Sequence, residues 1–324
     1  MSLNRRFFLD GDCILHMNIT YEVLSARVLQ SRFAQLIINE TIKARKFNIP
    51  IHLALGHEAL SEAVAAAMQS GDKLLCSHRN IHYQFARGAT LFEILEEFKL
   101  TEKGLAKGKG GSMNLTNPLG SIVYTSSILG NNLCVGVGVA LSKRIKQEDG
   151  VVLIVTGDGA MEEGAFYEVI ENARNMDLPI VIIVENNNWS LASRIEERRK
   201  SINLSQLALS LGARYTFLEG NNPMHYYQEI IAVRDRVNLQ KIPEIVEVRL
   251  TTLGGWTLET DDFPDGKYVN YHAGLAPKVT LDDGPVLNLD DSDPVYLIKE
   301  SLGEYEFECL IESTRHFFSD YLTA

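Results

Sequence analysis

Two polar clusters follow apolar runs of the sequence and carry residues suited to binding a metal ion and a diphosphate. The motif Gly157-Asp158-Gly159 comes shortly after the run 151–155, and Asn186-Asn187 follows the run 180–184. Each run has the length and composition of a buried strand, and a helix-length segment separates them. The ends of neighbouring parallel strands lie close together, so an aspartate and an asparagine there can bind one hard cation such as Mg²⁺. Glycines beside the aspartate let a diphosphate approach the backbone, and the pattern therefore predicts a magnesium-diphosphate site.

Each cluster alone has a simpler interpretation. Asp158 could cap a helix that begins near Met161, and Asn187 could stand in a turn. Their joint occurrence at the ends of two predicted strands favours the ligand interpretation. Trp189, two residues after Asn187, could add its backbone carbonyl to the ligands of the metal.

The elements around these clusters alternate between helices and strands. Residue patterns predict helices near 20–47, 57–69, 90–99, 130–142, 162–176, 204–211 and 224–238, and strands near 151–155, 180–184, 215–217 and 244–250. A strand–helix–strand unit of this kind has parallel strands and a right-handed crossover. The alternation predicts an α/β fold, with a doubly wound, mainly parallel sheet and helices on both faces, that binds ligands at the carboxyl ends of its strands.

We expect a single domain over residues 1–324. Residues 1–50 would form a helical N-terminal extension, and residues 251–324 a C-terminal loop and a helical tail. The stretch 254–285 has no periodicity and is rich in Gly, Asp and Pro, which predicts a long loop. The tail is expected to begin at Asp293-Pro294, which provides a helix cap and a proline at the first helical position.

Composition excludes several classes of function. The 324 residues carry a formal net charge of −11, which argues against a nucleic acid or an anionic membrane as the main partner. No apolar run approaches the ~20 residues of a membrane span. The four cysteines are far apart and have no metal-ligand spacing, which predicts reduced thiols. No signal peptide is expected at the N-terminus, and the expected location is cytoplasmic.

Several blocks of the sequence resemble the α subunit of the E1 components of 2-oxo acid dehydrogenase complexes, which use thiamine diphosphate (ThDP). The blocks are Gly157–Gly164 with Asn186-Asn187, Gly56–Ala59, His78-Arg79, Arg87-Gly88 and Lys107–Met113. They occur in the family's order between about residues 22 and 250, which is more specific than any single motif. The resemblance, to members acting on pyruvate, acetoin or branched-chain substrates, implies a ThDP-binding fold of the diphosphate-binding type.

The resemblance also implies a role for each matched position. The residues implied to bind ThDP are His78, Arg79, Leu129, Gly130, Gly157, Asp158, Gly159, Ala160, Asn187 and Trp189. The implied ligands of Mg²⁺ are Asp158, Asn187 and the backbone carbonyl of Trp189. The implied catalytic residues are His52, at the position of an active-site histidine of the family, and His272 in the divergent C-terminal loop.

Four places depart from the family's pattern. His57 stands where the family has Gln, His78 where it often has Tyr, and Asn114 where it usually has His. The segment 251–262 lacks the Arg and His residues that help to anchor the diphosphate and to handle the substrate, and it has Thr252, Gly254 and Trp256 instead. These departures leave open which 2-oxo acid is used and whether an acyl group passes to a lipoyl group.

The glycines allow two other interpretations, and both are weak. Gly104 and Gly108-Lys109 are separated by three residues, whereas a P-loop needs four. Gly136-Val137-Gly138 lacks the third glycine of a dinucleotide-binding fingerprint, because Leu141 takes its place. The resemblance instead implies that residues 104–114 form a mobile loop near the entrance of the site.

The implied function is that of the α subunit of a ThDP-dependent E1-type enzyme. With an E1 β-like subunit, in an α2β2 assembly, it would decarboxylate a small 2-oxo acid and form a ThDP-bound acyl or enamine intermediate, which a lipoyl E2 or an aldehyde accepts. The glutamate that activates the pyrimidine ring lies on a second domain in the family, and the chain after residue 250 is too short for one. Two alternatives remain open: a subunit of a split transketolase-like carboligase, and a non-catalytic ThDP-binding subunit.

Overall fold

The computed structural model describes residues 19–322. Its strands are β1 (Lys73–Cys76), β2 (Ile122–Thr125), β3 (Val152–Gly157), β4 (Ile180–Asn186), β5 (Trp189–Ser190), β6 (Ser193–Arg194), β7 (Arg214–Leu218), β8 (Glu244–Arg249), β9 (Trp256–Thr260) and β10 (Phe263–Val269). Its helices are α1 (Tyr21–Lys43), α2 (Glu58–Ala67), α3 (Ile81–Ala86), α4 (Leu91–Phe98), α5 (Asn131–Lys146), α6 (Gly164–Asn175), α7 (Ile195–Arg198), α8 (Leu204–Ser210), α9 (Pro223–Gln240), α10 (Pro294–Leu302), α11 (Glu304–Phe317) and α12 (Ser319–Leu322). In this part of the chain, no helix is long and apolar enough to cross a membrane.

Six strands form one sheet in the order β2-β1-β3-β4-β8-β7, and all neighbouring pairs in it are parallel. The chain passes from β1 outward to β2, and then returns to place β3 on the other side of β1. This reversal is the topological switch point at which doubly wound sheets bind their ligands. The predicted α/β fold with a parallel sheet is confirmed.

Alternate residues of the central strands enter two different cores, which explains why these strands are apolar throughout. Leu153 and Val155 of β3 belong to a core shared with α1, α2 and α9. Val152 and Ile154 belong to a second core on the opposite face, shared with α5, α6 and α8. Parallel strands covered by helices on both faces need apolar side chains at every position.

The register between β3 and β4 places the two polar clusters beside each other. Gly157, the last residue of β3, is paired with Glu185 of β4. Asp158 and Asn187 therefore leave the sheet at the same edge. After Asn187, Asn188 has a left-handed backbone conformation (φ 64°), which turns the chain into the short ribbon of β5 and β6.

A buried ionic network ties the C-terminal helices to the body of the fold. The guanidinium of Arg32 on α1 lies 2.6 Å from Glu58 and 3.1 Å from Asp293, and all three side chains are fully buried. Asp293 also accepts a hydrogen bond from the backbone of Val295, with Pro294 beginning α10. The predicted start of the helical tail is confirmed. Thr90 forms a capping box at the start of α4.

One expectation about local structure is wrong, and one alternative interpretation is excluded. The stretch 254–285 is not loop throughout, since it contains the antiparallel hairpin of β9 and β10. Asp158 does not cap a helix near Met161; it begins a 3₁₀ turn over Asp158–Glu162, and Glu163 precedes α6. Residues 1–18 of the expected N-terminal extension lie outside the described residues, and the division into a single domain stays a prediction.

Candidate active site

A cavity of about 300 Å³ lies at the carboxyl ends of β1, β3 and β4, at the switch point of the sheet. The residues predicted for the site all line it: His52, His78, Arg79, Leu129, Gly130, Gly157, Asp158, Gly159, Ala160, Asn187, Trp189 and His272. They come from segments as far apart in the chain as residues 52 and 272. The fold therefore brings together the twelve residues that were predicted to bind the cofactor or to act in catalysis.

Asp158 is a buried carboxylate whose charge is balanced by an arginine. Its Oδ2 accepts a hydrogen bond of 2.8 Å from Nη2 of Arg198, in the helix α7. Burial raises the pKa of Asp158 to about 6, although Arg198 acts in the opposite direction. Glu162 holds this helix from the other side, with contacts of 3.2 Å to Arg198 and 3.1 Å to Arg199.

The side-chain amide of Asn187 has a defined orientation. Its Oδ1 accepts a hydrogen bond of 3.1 Å from the backbone N–H of Trp189. Its Nδ2 donates a hydrogen bond of 2.7 Å to Oγ1 of Thr252. Because an amide oxygen has two lone pairs, Oδ1 keeps the capacity to bind a further partner.

Two glycines of the cavity wall have no room for a side chain. A Cβ added to Gly159 would lie 2.6 Å from Oγ of Ser190, well inside van der Waals contact. Gly130 precedes α5 with a φ of 72°, and a Cβ there would lie 3.1 Å from the side chain of Glu163. These positions keep backbone exposed to the cavity, as close approach of a phosphate group requires.

Three histidines form one wall of the cavity. The ring centroid of His52 lies 4.9 Å from that of His78 and 5.1 Å from that of His272, and the latter two are 5.9 Å apart. Burial, and then the positive charge of Arg79, lower the pKa of His52 to about 3 and those of His78 and His272 to about 4. All three rings are therefore neutral at pH 7, and each offers one N–H donor and one acceptor nitrogen.

Arg79 is buried beneath this wall and helps to hold it. Its guanidinium donates to the backbone carbonyls of Leu53 and of His272, the latter at 3.0 Å. Burial lowers the pKa of Arg79. The two hydrogen bonds engage two of the five N–H groups of a guanidinium, so the predicted contact with a diphosphate stays compatible with this arrangement.

Sequence reasoning missed a second cluster of buried side chains, centred on Glu185, at the wall of the cavity. Glu185 accepts a hydrogen bond of 2.9 Å from the hydroxyl of Tyr83 and lies 3.2 Å from Nε2 of His82 and 3.4 Å from Nδ1 of His57. Burial alone would raise the pKa of Glu185, but the two imidazoles together hold it below its ordinary value. A signal was present, because Glu185 directly precedes Asn186-Asn187 and His57 departs from the family's pattern.

The glycine-rich loop 104–114 is organised by a single carboxylate. Glu97, which is fully buried, accepts hydrogen bonds of 2.8–3.0 Å from the backbone N–H groups of Ala106, Gly108, Gly110 and Gly111. These amides are thus directed at a side chain of α4 and not at a nucleotide phosphate, which argues against the P-loop interpretation. The loop carries Met113 to the wall of the cavity.

The chemistry of the cavity suits a magnesium diphosphate. A carboxylate and an amide oxygen meet at one sheet edge, and Mg²⁺ prefers such oxygen ligands together with those of a phosphate. The buried Nδ1 of His52 has no hydrogen-bond partner among residues 19–322, so a ligand in the cavity could satisfy it. Arg198 occupies Oδ2 of Asp158, so a cation bound to this oxygen would displace the guanidinium.

Comparisons with known proteins agree with this assignment. The α subunit of the pyruvate dehydrogenase E1 component of Rickettsia prowazekii is 30% identical over 198 residues, which cover 61% of this chain and 61% of that protein. The α subunit of acetoin:2,6-dichlorophenolindophenol oxidoreductase of Bacillus subtilis is 28% identical over 197 residues, or 61% of this chain and 59% of that protein. The chain thus matches about 60% of the length of these curated relatives.

A solved structure shows the same fold at low sequence similarity. Transketolase from Campylobacter jejuni superposes with a TM-score of 0.56 and 14% identity, over 92% of this chain and 49% of that chain. The family model of the dehydrogenase E1 component matches residues 26–262, which is more than half of the 324 residues. The chain therefore belongs to the dehydrogenase E1 component family, as its sequence motifs predict.

Proposed function

We propose that this protein is the α-type subunit of a ThDP-dependent enzyme that decarboxylates a 2-oxo acid. The observation that carries the proposal is the pairing of Gly157 with Glu185, which places Asp158 and Asn187 at one edge of the sheet. The same cavity contains the positions that the family resemblance links to the diphosphate. The relatives named pyruvate dehydrogenase and acetoin oxidoreductase subunits support this class of reaction.

The residues of the chain have distinct tasks in this proposal. Asp158 and Asn187, with the backbone carbonyl of Trp189, hold Mg²⁺, while Arg79 and the exposed backbone at Gly159 face the diphosphate. When bound, ThDP supplies a nucleophilic carbon and an electron sink for decarboxylation. Being neutral at pH 7, the histidine wall would offer hydrogen-bond donors and acceptors to a substrate held beside the cofactor.

The carboxylate that activates the pyrimidine ring would come from a β-type partner. Within residues 19–322, the carboxylates that line the cavity belong to Asp158 and Glu185, and both already have partners. The rim of the cavity also carries exposed apolar side chains, including Ile128 and Leu191, which a partner would cover. We therefore propose an α2β2 assembly whose cofactor lies at the α–β interface. The acceptor of the acyl group, a lipoyl protein or an aldehyde, stays a prediction, and so does the cytoplasmic location.

Calorimetry on the copurified complex tests this proposal. Mg²⁺ and ThDP should bind to the complex and not to the isolated chain, and the complex should release CO₂ from a 2-oxo acid. Asp158→Ala should abolish binding, whereas Asp282→Ala, at an exposed position, should leave it unchanged. Full decarboxylation by the isolated chain would refute the shared site, and binding of Mg²⁺ and ThDP to the complex without any decarboxylation would support the non-catalytic alternative.

A further inference from the structure

His57 and Thr252, two of the residues that depart from the family's pattern, contact each other in the fold. Oγ1 of Thr252 lies 2.8 Å from Nε2 of His57, and both side chains are buried. We propose that Glu185, His57 and Thr252 form a polar relay that fixes the amide of Asn187 with its oxygen available to the cation. This inference rests on the proposed function, and it assigns positioning roles to three residues that do not touch the metal.

The direction of each contact in the relay follows from the groups involved. The backbone N–H of Trp189 can only donate, so the atom of Asn187 that it meets must be the amide oxygen. The amide nitrogen of Asn187 therefore donates to Thr252. An amide turned the other way would place two donors against each other at Trp189 and lose the oxygen ligand.

The tautomer of His57 is fixed from the other end of the relay. Nδ1 of His57 lies 3.4 Å from Oε2 of Glu185, a charge contact without hydrogen-bond geometry. The negative charge of Glu185 favours the tautomer with its proton on Nδ1, which leaves Nε2 as an acceptor. The hydroxyl of Thr252 then accepts from Asn187 and donates to His57, so each of its two contacts is satisfied.

Backbone contacts fix the relative positions of the segments that carry the relay residues. The N–H of Leu253 donates to the carbonyl of Leu55 at 2.8 Å, which anchors the divergent segment beside the start of α2. Gly56, the residue after Leu55, has a φ of 94°, and a Cβ added to it would lie 2.2 Å from the carbonyl oxygen of Thr251. At the far end, Tyr83 and His82 hold Glu185 in place. The segment that lacks the family's arginine thus makes a different, closely fitted connection to the site.

Partners that orient a metal ligand commonly contribute 10- to 100-fold to metal affinity. Thr252→Val keeps the shape of the side chain and removes the hydroxyl. In the copurified α–β complex, we expect it to weaken Mn²⁺ binding, measured by electron paramagnetic resonance, by about 10- to 100-fold. Thr252→Ser keeps the hydroxyl and should recover most of the affinity.

A matched control distinguishes the positioning role of Thr252 from the general effect of losing a buried hydroxyl. Thr125→Val removes a buried hydroxyl that donates to the carbonyl of Leu115 at 2.6 Å, outside the relay, and it should bind Mn²⁺ like the wild type. His57→Gln retains a donor and an acceptor and should weaken binding less than His57→Leu. If Thr252→Val does not fold, Thr252→Ala tests the same contact.

The possible failures can be told apart. If the wild-type complex binds Mn²⁺ with ThDP and a folded Thr252→Val complex binds them equally well, the relay is refuted and the proposed function stands. If the wild-type complex binds neither, the proposed function fails and the relay with it. Equal losses in Thr252→Val and Thr125→Val would also overturn the relay, because they would indicate a structural effect shared by buried hydroxyls.

Discussion

Acidification from pH 7 to pH 5 tests the environment of the histidine wall formed by His52, His78 and His272. Their pKa values of about 3, 4 and 4 lie below the ordinary value of 6.5. Unfolding exposes the rings to water, where they bind protons below pH 6.5. The unfolded chain therefore takes up protons that the folded chain does not, and stability falls as the pH drops from 6.5 towards the folded pKa values.

The size of the effect follows from the pKa differences. For a histidine that titrates at about 6.5 when unfolded and at about 3 when folded, the loss of stability between pH 7 and pH 5 is about 2 kcal/mol. His52 should contribute this whole loss of stability, because its side chain is buried, and His78 should contribute slightly less. His272 is more exposed, so water screens its surroundings and its contribution is smaller. Asp158 changes in the opposite direction, because its raised pKa stabilises the protonated folded state at pH 5.

Urea unfolding followed by circular dichroism at the two pH values measures this loss. Asp158 contributes to the pH dependence of stability in both the wild type and His52→Gln, so its contribution cancels when the two proteins are compared. The free energy of unfolding should depend on pH less steeply in His52→Gln, by about 2 kcal/mol between pH 7 and pH 5. His316→Gln, at an exposed position on α11, serves as the control. An identical pH dependence in His52→Gln and the wild type would show that His52 is not held neutral by burial.

Three further predictions concern the cavity and its loop. Because the pKa of Asp158 is about 6, the dissociation constant for Mn²⁺ should rise about tenfold for each pH unit below 6, and Asp158→Asn should bind weakly at every pH. Glu97→Gln should lower the free energy of unfolding by about 2–4 kcal/mol and speed proteolysis within 104–114, since an amide cannot accept from four N–H groups; the exposed Glu102→Gln should do neither. Gly159→Ala should weaken Mg²⁺-ThDP binding in calorimetry at least about tenfold by blocking backbone approach, whereas Gly164→Ala, whose added Cβ meets nothing within 4 Å, should not; equal affinities would refute the close approach.

Much of the fold and of the site follows from local sequence patterns. The continuous apolar runs of β3 and β4 identify buried parallel strands, and their polar ends identify the edge where Asp158 and Asn187 meet. The caps at Thr90 and Asp293 follow from side-chain chemistry within one turn of a helix. In each case the residues that decide the structure are neighbours in the sequence.

Other features depend on partners that no local pattern reveals. The hairpin of β9 and β10 escaped prediction because most of its residues are exposed and β10 contains Pro264, Asp265 and Gly266, which are typical of turns. The contact of His57 with Thr252 joins residues 195 positions apart, and neither residue type alone indicates the other. The pairing of Asp158 with Arg198 depends on the path of the short elements after Asn187, which are too brief to have a period.

The ion pair between Asp158 and Arg198 has a consequence for the speed of activation. The guanidinium of Arg198 occupies one oxygen of the carboxylate at 2.8 Å, so a cation that binds this oxygen must displace it. On the proposed function, binding of the cation therefore exchanges one positive group for another, and we expect the release of Arg198 to limit its rate. Enzyme mixed with Mg²⁺ and ThDP should show a lag before reaching full velocity, and at high concentrations of both the lag should stop shortening, because it then reports the motion of the protein alone.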